Sequence, residues 1–143
     1  MTYQLTWRPH FGGHLALGHK PGKRLRIQLE EAGCTLVVNL LSERESNASA
    51  GPHRFRLPLE GARPPEPDLD ERVRLLFQTM TAELACGGKV FVHCSAGLHR
   101  TGMIAYAYFR HRAMPRQQFS SYGIDRKRAD HGAMRMGRAI RRT

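Results

Sequence analysis

The chain has 143 residues, 41% of them hydrophobic, and 23 Lys and Arg against 12 Asp and Glu give a formal net charge of +11. That length predicts one domain over residues 1–143 with a core large enough for a sheet and several helices, and no apolar run approaches the roughly 20 residues of a membrane span. The opening residues lack the regions of a secretion signal, and Cys34, Cys86 and Cys94 are an odd number of thiols, so the expectation is a cytoplasmic monomer with reduced cysteines and no membrane partner.

Residues 3–7 and 14–17 alternate as short strands do, and Gly12-Gly13 supplies a turn between them, which predicts a hairpin in which Trp7 packs. His10, His14 and His19 read as surface residues; no Cys/His group has zinc spacing, and no metal or other cofactor is expected. After Pro21-Gly22, Leu25 and Leu29 stand four apart and Gly33 follows, so residues 23–32 are predicted as a short helix. Residues 34–41 form an uninterrupted β-branched and apolar run, the pattern of a buried parallel strand, with Cys34 as a core thiol.

Residues 42–52 are polar and loop-like. Residues 53–58 alternate polar and apolar and end at Pro58, which predicts an edge strand, and the prolines of 63–67 make a stiff loop. From Asp68, an N-cap type, the period changes. Leu69, Val73, Leu76, Phe77, Met80 and Leu84 recur at helical spacing up to Gly87-Gly88.

Val90-Phe91-Val92 then reads as a short buried strand and residues 103–112 as a helix, nearly apolar all round and therefore buried. Between them lies His93-Cys94-Ser95-Ala96-Gly97-Leu98-His99-Arg100-Thr101-Gly102. A loop entering a helix aims free backbone N–H groups inward and adds the positive end of the helix dipole, so the segment Ser95, Ala96, Gly97, Leu98, His99 is suited to cradle a phosphoryl group without a metal. Gly97 permits the turn. The same N–H groups favour thiolate over thiol at Cys94, which makes it a candidate nucleophile. The planar fork of Arg100 can grip two phosphoryl oxygens as charge redistributes. The hydroxyl of Thr101 can donate to the sulfur and ease its departure. As an exposed thiolate Cys94 would meet peroxide before Cys34 or Cys86, with Cys86 a candidate to trap the oxidised sulfur.

Cys94, five residues, Arg100 and Thr101 match Cys-x5-Arg-Ser/Thr, and the chain on these residues resembles the protein tyrosine phosphatase superfamily, within it the compact dual-specificity group. The resemblance extends to Gly33-Cys34-Thr35-Leu36-Val37-Val38-Asn39-Leu40, where the family's Asn braces the phosphate loop, and to Asp125-Arg126-Lys127-Arg128-Ala129, a basic loop before the last helix. It implies an α/β fold with a central, mostly parallel sheet of about four to five strands flanked by helices. It also implies a cysteine-dependent phosphomonoester hydrolase that dephosphorylates phosphotyrosine, with phosphoserine and phosphothreonine as further substrates. The implied partner is a phosphorylated protein. An RNA 5′-phosphatase acting through the same Cys/Arg loop remains the alternative, since the excess of cations attracts phosphoproteins and nucleic acids alike.

In that family an aspartate on the loop after the edge strand, behind a Pro-hydrophobic pair, protonates the leaving oxygen. Here the place holds Pro58-Leu59-Glu60-Gly61. The chain departs from the pattern. Glu60 is the nearest carboxylate and is favoured over Asp68, which a cap role explains. Residues 114–122 are predicted as a further helix, and Met134, Met136 and Ile140 with their arginines as a basic final one.

Overall fold

The computed structural model describes residues 5–41, 54–59, 69–94, 99–115 and 117–118. Five strands, β1 (Arg8–His10), β2 (Gly13–Gly18), β3 (Leu36–Asn39), β4 (Arg54–Arg56) and β5 (Lys89–His93), form one sheet in the order β1-β2-β5-β3-β4. Among the described residues three helices flank it: α1 (Lys23–Glu31), α2 (Leu69–Ala85) and α3 (His99–His111). β2, β5, β3 and β4 are parallel and β1 alone is antiparallel, so the expected architecture is present.

The centre of the sheet is β5, and its sequence explains why. Parallel strands covered on both faces need side chains that are apolar on both. Val90, Phe91 and Val92 are all fully buried. Val90 and Val92 join Leu15, Leu36 and Val38 in the larger core cluster, beneath α2 and α3, while Phe91 packs with Ala16, Leu25 and Leu29 under α1. α2 brings to the larger cluster the six apolar residues anticipated from their spacing. At about 1.5–3 kcal/mol for each large side chain fully buried, they make this helix a principal source of stability.

The chain reversals after α1 and α2 follow a single rule. Gly33 (φ 76°) and Gly87 (φ 80°) adopt left-handed backbone. In each case two N–H groups cap the last turn: Cys34 N bonds Leu29 O and Gly33 N bonds Glu30 O after α1, and Gly88 N bonds Glu83 O and Gly87 N bonds Leu84 O after α2. That pairing satisfies carbonyls which the helix itself leaves open.

The hairpin differs from expectation in register. Its first strand is Arg8–His10, and Leu5 to Trp7 lie outside the sheet. The turn is Phe11-Gly12, both at positive φ (44° and 95°), the two-residue form that matches strand twist. Gly13 therefore opens β2, because a Cβ there would collide with the carbonyl oxygens of Gly88 and Leu84. His10 is also corrected. Predicted at the surface, it is 5% exposed, wedged against Tyr108 and Phe109 of α3 with ring centroids 5.7 and 5.1 Å away. Arg112 lies over the Phe11 ring at 4.2 Å, and Thr81 and Tyr108 share a hydrogen bond of 3.0 Å. The hairpin thereby pins the far end of α3. β3 is shorter than the predicted 34–41, with Cys34 half-buried before it. The loop of 42–52, the prolines of 63–67, the cap at Asp68 and the two C-terminal helices lie outside the described residues, apart from Met114, which packs on the core, and Gln117-Gln118.

Candidate active site

In register, Gly18 of β2 and Asn39 of β3 both stand opposite His93, and Arg56 of β4 stands opposite Asn39. The carboxyl ends of four strands thus share one edge, the edge at which open α/β sheets bind ligands. Cys94 leaves β5 at the middle of that edge. α3 begins at His99, four residues earlier than its apolar run suggested. Arg100 and Thr101 consequently occupy its first turn, where unpaired N–H groups and the positive dipole end concentrate.

Arg100 is half-buried, and its Nη1 donates to the backbone carbonyl of Leu59 at 3.1 Å. Leu59 itself is 6% exposed and its N–H bonds Leu40 O at 3.3 Å. The chain leaving β4 is thereby held against the guanidinium. No sequence signal marks Leu59, because the acceptor is a main-chain oxygen 41 positions away. Glu60 is the next residue. It lies outside the described residues, as do Ser95, Ala96, Gly97 and Leu98 and the side chain of His99.

Thr101 is fully buried, and among the described residues its Oγ has no hydrogen-bond partner. A buried hydroxyl left unbonded costs on the order of 1–3 kcal/mol, so the position fits a hydroxyl kept for a group at this edge. Asn39 Oδ1 accepts the N–H of Leu41 at 2.9 Å; this fixes the turn after β3, and the predicted contact with the loop of 95–98 lies outside the described residues.

Cys94 is 1% exposed, which corrects its expected place as the exposed thiol. Cys86 is the exposed one. It also precedes β5 whereas Cys94 follows it, and a strand advancing about 3.3 Å per residue separates the two ends by roughly 16 Å. A disulfide needs Cα atoms roughly 4.4–6.8 Å apart. Cys86 cannot trap an oxidised Cys94 without unfolding the strand. Cys34, whose Sγ donates to Leu36 O and Lys89 O, is at the same distant edge, and burial raises its pKa.

His93 supports the start of the site from beneath. It is 3% exposed, stacks on Phe91 at 5.7 Å, and its Nδ1 meets Cys94 O at 3.4 Å. Burial lowers its pKa to about 4; the Cys94 carbonyl opposes this, and the charges of Arg54 and Lys20 add to it. His10 is lowered to about 4 as well, by burial and then by Arg112. Both rings are neutral in the folded protein at neutral pH. As pH falls through 6.5 the unfolded chain takes up protons that the fold refuses until about 4, so stability is lost on acidification across that window, by up to about 1.4 kcal/mol per pH unit for each ring. Calorimetry should show a falling Tm between pH 6.5 and 4, with a shallower fall in His10→Phe. Parallel pH profiles for the two proteins would contradict this.

No family model and no curated protein matches the chain. Solved structures do. A mutant form of Tk-PTP superposes with a TM-score of 0.68 at 19% identity, covering 96% of this chain and 95% of that one. A point mutant of human DUSP28 gives 0.66 at 25% identity, covering 99% of each. TpbA from P. aeruginosa, in complex with pTyr, gives 0.55 at 17% identity with 92% and 93% covered.

Proposed function

From a chain with the fold of the protein tyrosine phosphatase-like dual-specificity phosphatases, we propose a cysteine-dependent phosphomonoester hydrolase acting on phosphotyrosine, and on phosphoserine and phosphothreonine, in proteins. The observation that carries this reading is the placement of Cys94 just after the carboxyl end of the central strand and of Arg100 and Thr101 in the first turn of the helix that follows. Phosphate binds at the N–H groups of residues 95–99 and in the fork of Arg100. The Cys94 thiolate attacks phosphorus, an S–P bond forms, and the P–O bond to the substrate breaks as Glu60 gives its proton to the leaving oxygen. Water then attacks phosphorus and passes a proton back to the Glu60 carboxylate. The S–P bond breaks, and inorganic phosphate leaves. Thr101 Oγ stabilises the departing thiolate.

Arg100 bears on the acid as well. It holds the carbonyl of Leu59, the residue before Glu60 in sequence, and that adjacency supports Glu60 over Asp68. Glu60→Gln should slow phenyl phosphate hydrolysis by about 10²–10⁴-fold, yet affect p-nitrophenyl phosphate less, because that leaving group needs little help. Asp68→Asn should change stability little, since Asn caps a helix about as well as Asp, and should bring only modest kinetic change. The alkaline limb of the rate profile surviving in Glu60→Gln and vanishing in Asp68→Asn would reverse the assignment.

The reading as a whole is tested by phosphate release from a phosphotyrosine peptide, a phosphoserine peptide and triphosphate-ended RNA. Release from the peptides is expected, fastest from phosphotyrosine. Release from RNA alone would transfer the enzyme to the RNA 5′-phosphatase class.

A further inference from the structure

We propose that Arg72 of α2 is a positioning residue that clamps the two stems of the stretch 60–68 and so limits where the general acid of the proposed reaction can stand. The stems are Leu59, at the end of the chain leaving β4, and Leu69, which opens α2; both are buried in the larger core, at 6% and 7% exposed. The stretch between them holds three carboxylates, Glu60, Glu66 and Asp68. The clamp therefore bears on the acid whichever of the three serves.

One side-chain bond runs across the stems: Arg72 Nη2 donates to the backbone carbonyl of Arg56 at 3.3 Å, 16 positions away. The geometry of β4 explains why a helix can reach that oxygen. The N–H of Leu57 goes to Asn39 O at 2.9 Å, on the β3 side, and the peptide between Arg56 and Leu57 is trans. In a trans peptide C=O and N–H point opposite ways, so the Arg56 carbonyl faces away from β3. β4 stands at the end of the strand order, and the open edge of a sheet leaves such groups without a ladder partner. Arg72 supplies a donor from a helix that is itself fixed, because Leu69 and Val73, before and after it in sequence, are buried. On the sheet side the first stem is held by Leu57 N on Asn39 O, by Leu59 N on Leu40 O and by Arg100 Nη1 on Leu59 O. The bond from Arg72 ties that stem to the second, α2. Fixing both ends of a short stretch narrows the placements its residues can take, and a reacting group misplaced by about 1 Å costs up to about 10²-fold in rate.

This inference rests on the phosphatase reading, and its test separates the two. Arg72→Met keeps the apolar length of the side chain and removes the donor. Arg72→Lys keeps a donor, which suffices here because the contact is one bond rather than a fork. In Arg72→Met, kcat for phenyl phosphate should fall by about 2–10-fold, the scale of one net hydrogen bond, with KM little changed because the clamp acts on the acid and not on the phosphate. The fall should be smaller for p-nitrophenyl phosphate, whose leaving group needs little help from an acid. Arg72→Lys should recover most of the loss. Hydrogen exchange at the amides of Leu57 and Leu59 reads the clamp without turnover, and it should quicken in Arg72→Met but not in Arg72→Lys. If wild type hydrolyses no phosphomonoester, the phosphatase reading falls, and exchange then decides by itself whether Arg72 clamps the stems. Exchange that does not change in Arg72→Met, or a loss of rate equal on the two substrates, as general loosening of the fold would give, overturns the proposal.

Discussion

Cys94→Ser is expected to lose roughly 10⁴–10⁶-fold in turnover, the scale on which removing a catalytic nucleophile acts in covalent enzymes, while still binding phosphate or vanadate. The reason is a division of labour. The sulfur supplies the bonding electrons, and a hydroxyl is a far weaker nucleophile at neutral pH. In the proposed reaction anion binding belongs to the N–H groups of the loop and to Arg100, which the substitution leaves alone. Burial sharpens the expectation: Cys94 is 1% exposed at the end of a strand covered on both faces, and serine differs from it by one smaller atom, so little repacking accompanies the change. Steady-state rates on a phosphotyrosine peptide and equilibrium binding of vanadate would check both halves. A variant that retains a tenth of wild-type turnover would sink the cysteinyl-phosphate route.

Arg100→Lys should lose binding and rate together, by about 10²–10³-fold in kcat if the guanidinium acts as a transition-state donor. An ammonium is a point donor and cannot bridge two phosphoryl oxygens. It also has a second task to fail. Arg100 Nη1 holds Leu59 O at 3.1 Å in a half-buried setting, where a hydrogen bond from a charged group is worth about 1.5–3 kcal/mol. One nitrogen can serve the loop or the phosphate, whereas a fork can serve both. The variant should therefore also become less sensitive to Glu60→Gln, because the chain leading to the proposed acid loses its hold at Leu59. A double-mutant cycle on kcat measures that coupling. Unchanged kinetics in Arg100→Lys would remove the residue from the site, and strict additivity with Glu60→Gln would remove its link to the acid.

The amino-acid sequence by itself determined the elements whose signal is local. The spacing of Leu69, Val73, Leu76, Phe77, Met80 and Leu84 is a helix of one period wherever it folds, Gly33 and Gly87 take a backbone that other residues resist, and an apolar run on both faces makes β5 central. It also placed Cys94, Arg100 and Thr101 between one strand and the helix after it, because the apolar run of residues 90–92 and the helical pattern from 103 bracket them. Tertiary structure alone decided what depends on contacts between distant segments. His10 has the composition of a surface residue and is buried only because β1 folds onto α3. α3 starts at His99, before its apolar stretch, in a polar first turn that hydrophobic spacing does not mark. Cys86 and Cys94 are eight positions apart in sequence and at opposite ends of a strand in space, since an extended chain converts short separations into long distances. The hold of Arg100 on Leu59 spans 41 positions and ends on a carbonyl, a group that every residue carries, so no pattern of side chains could have announced it.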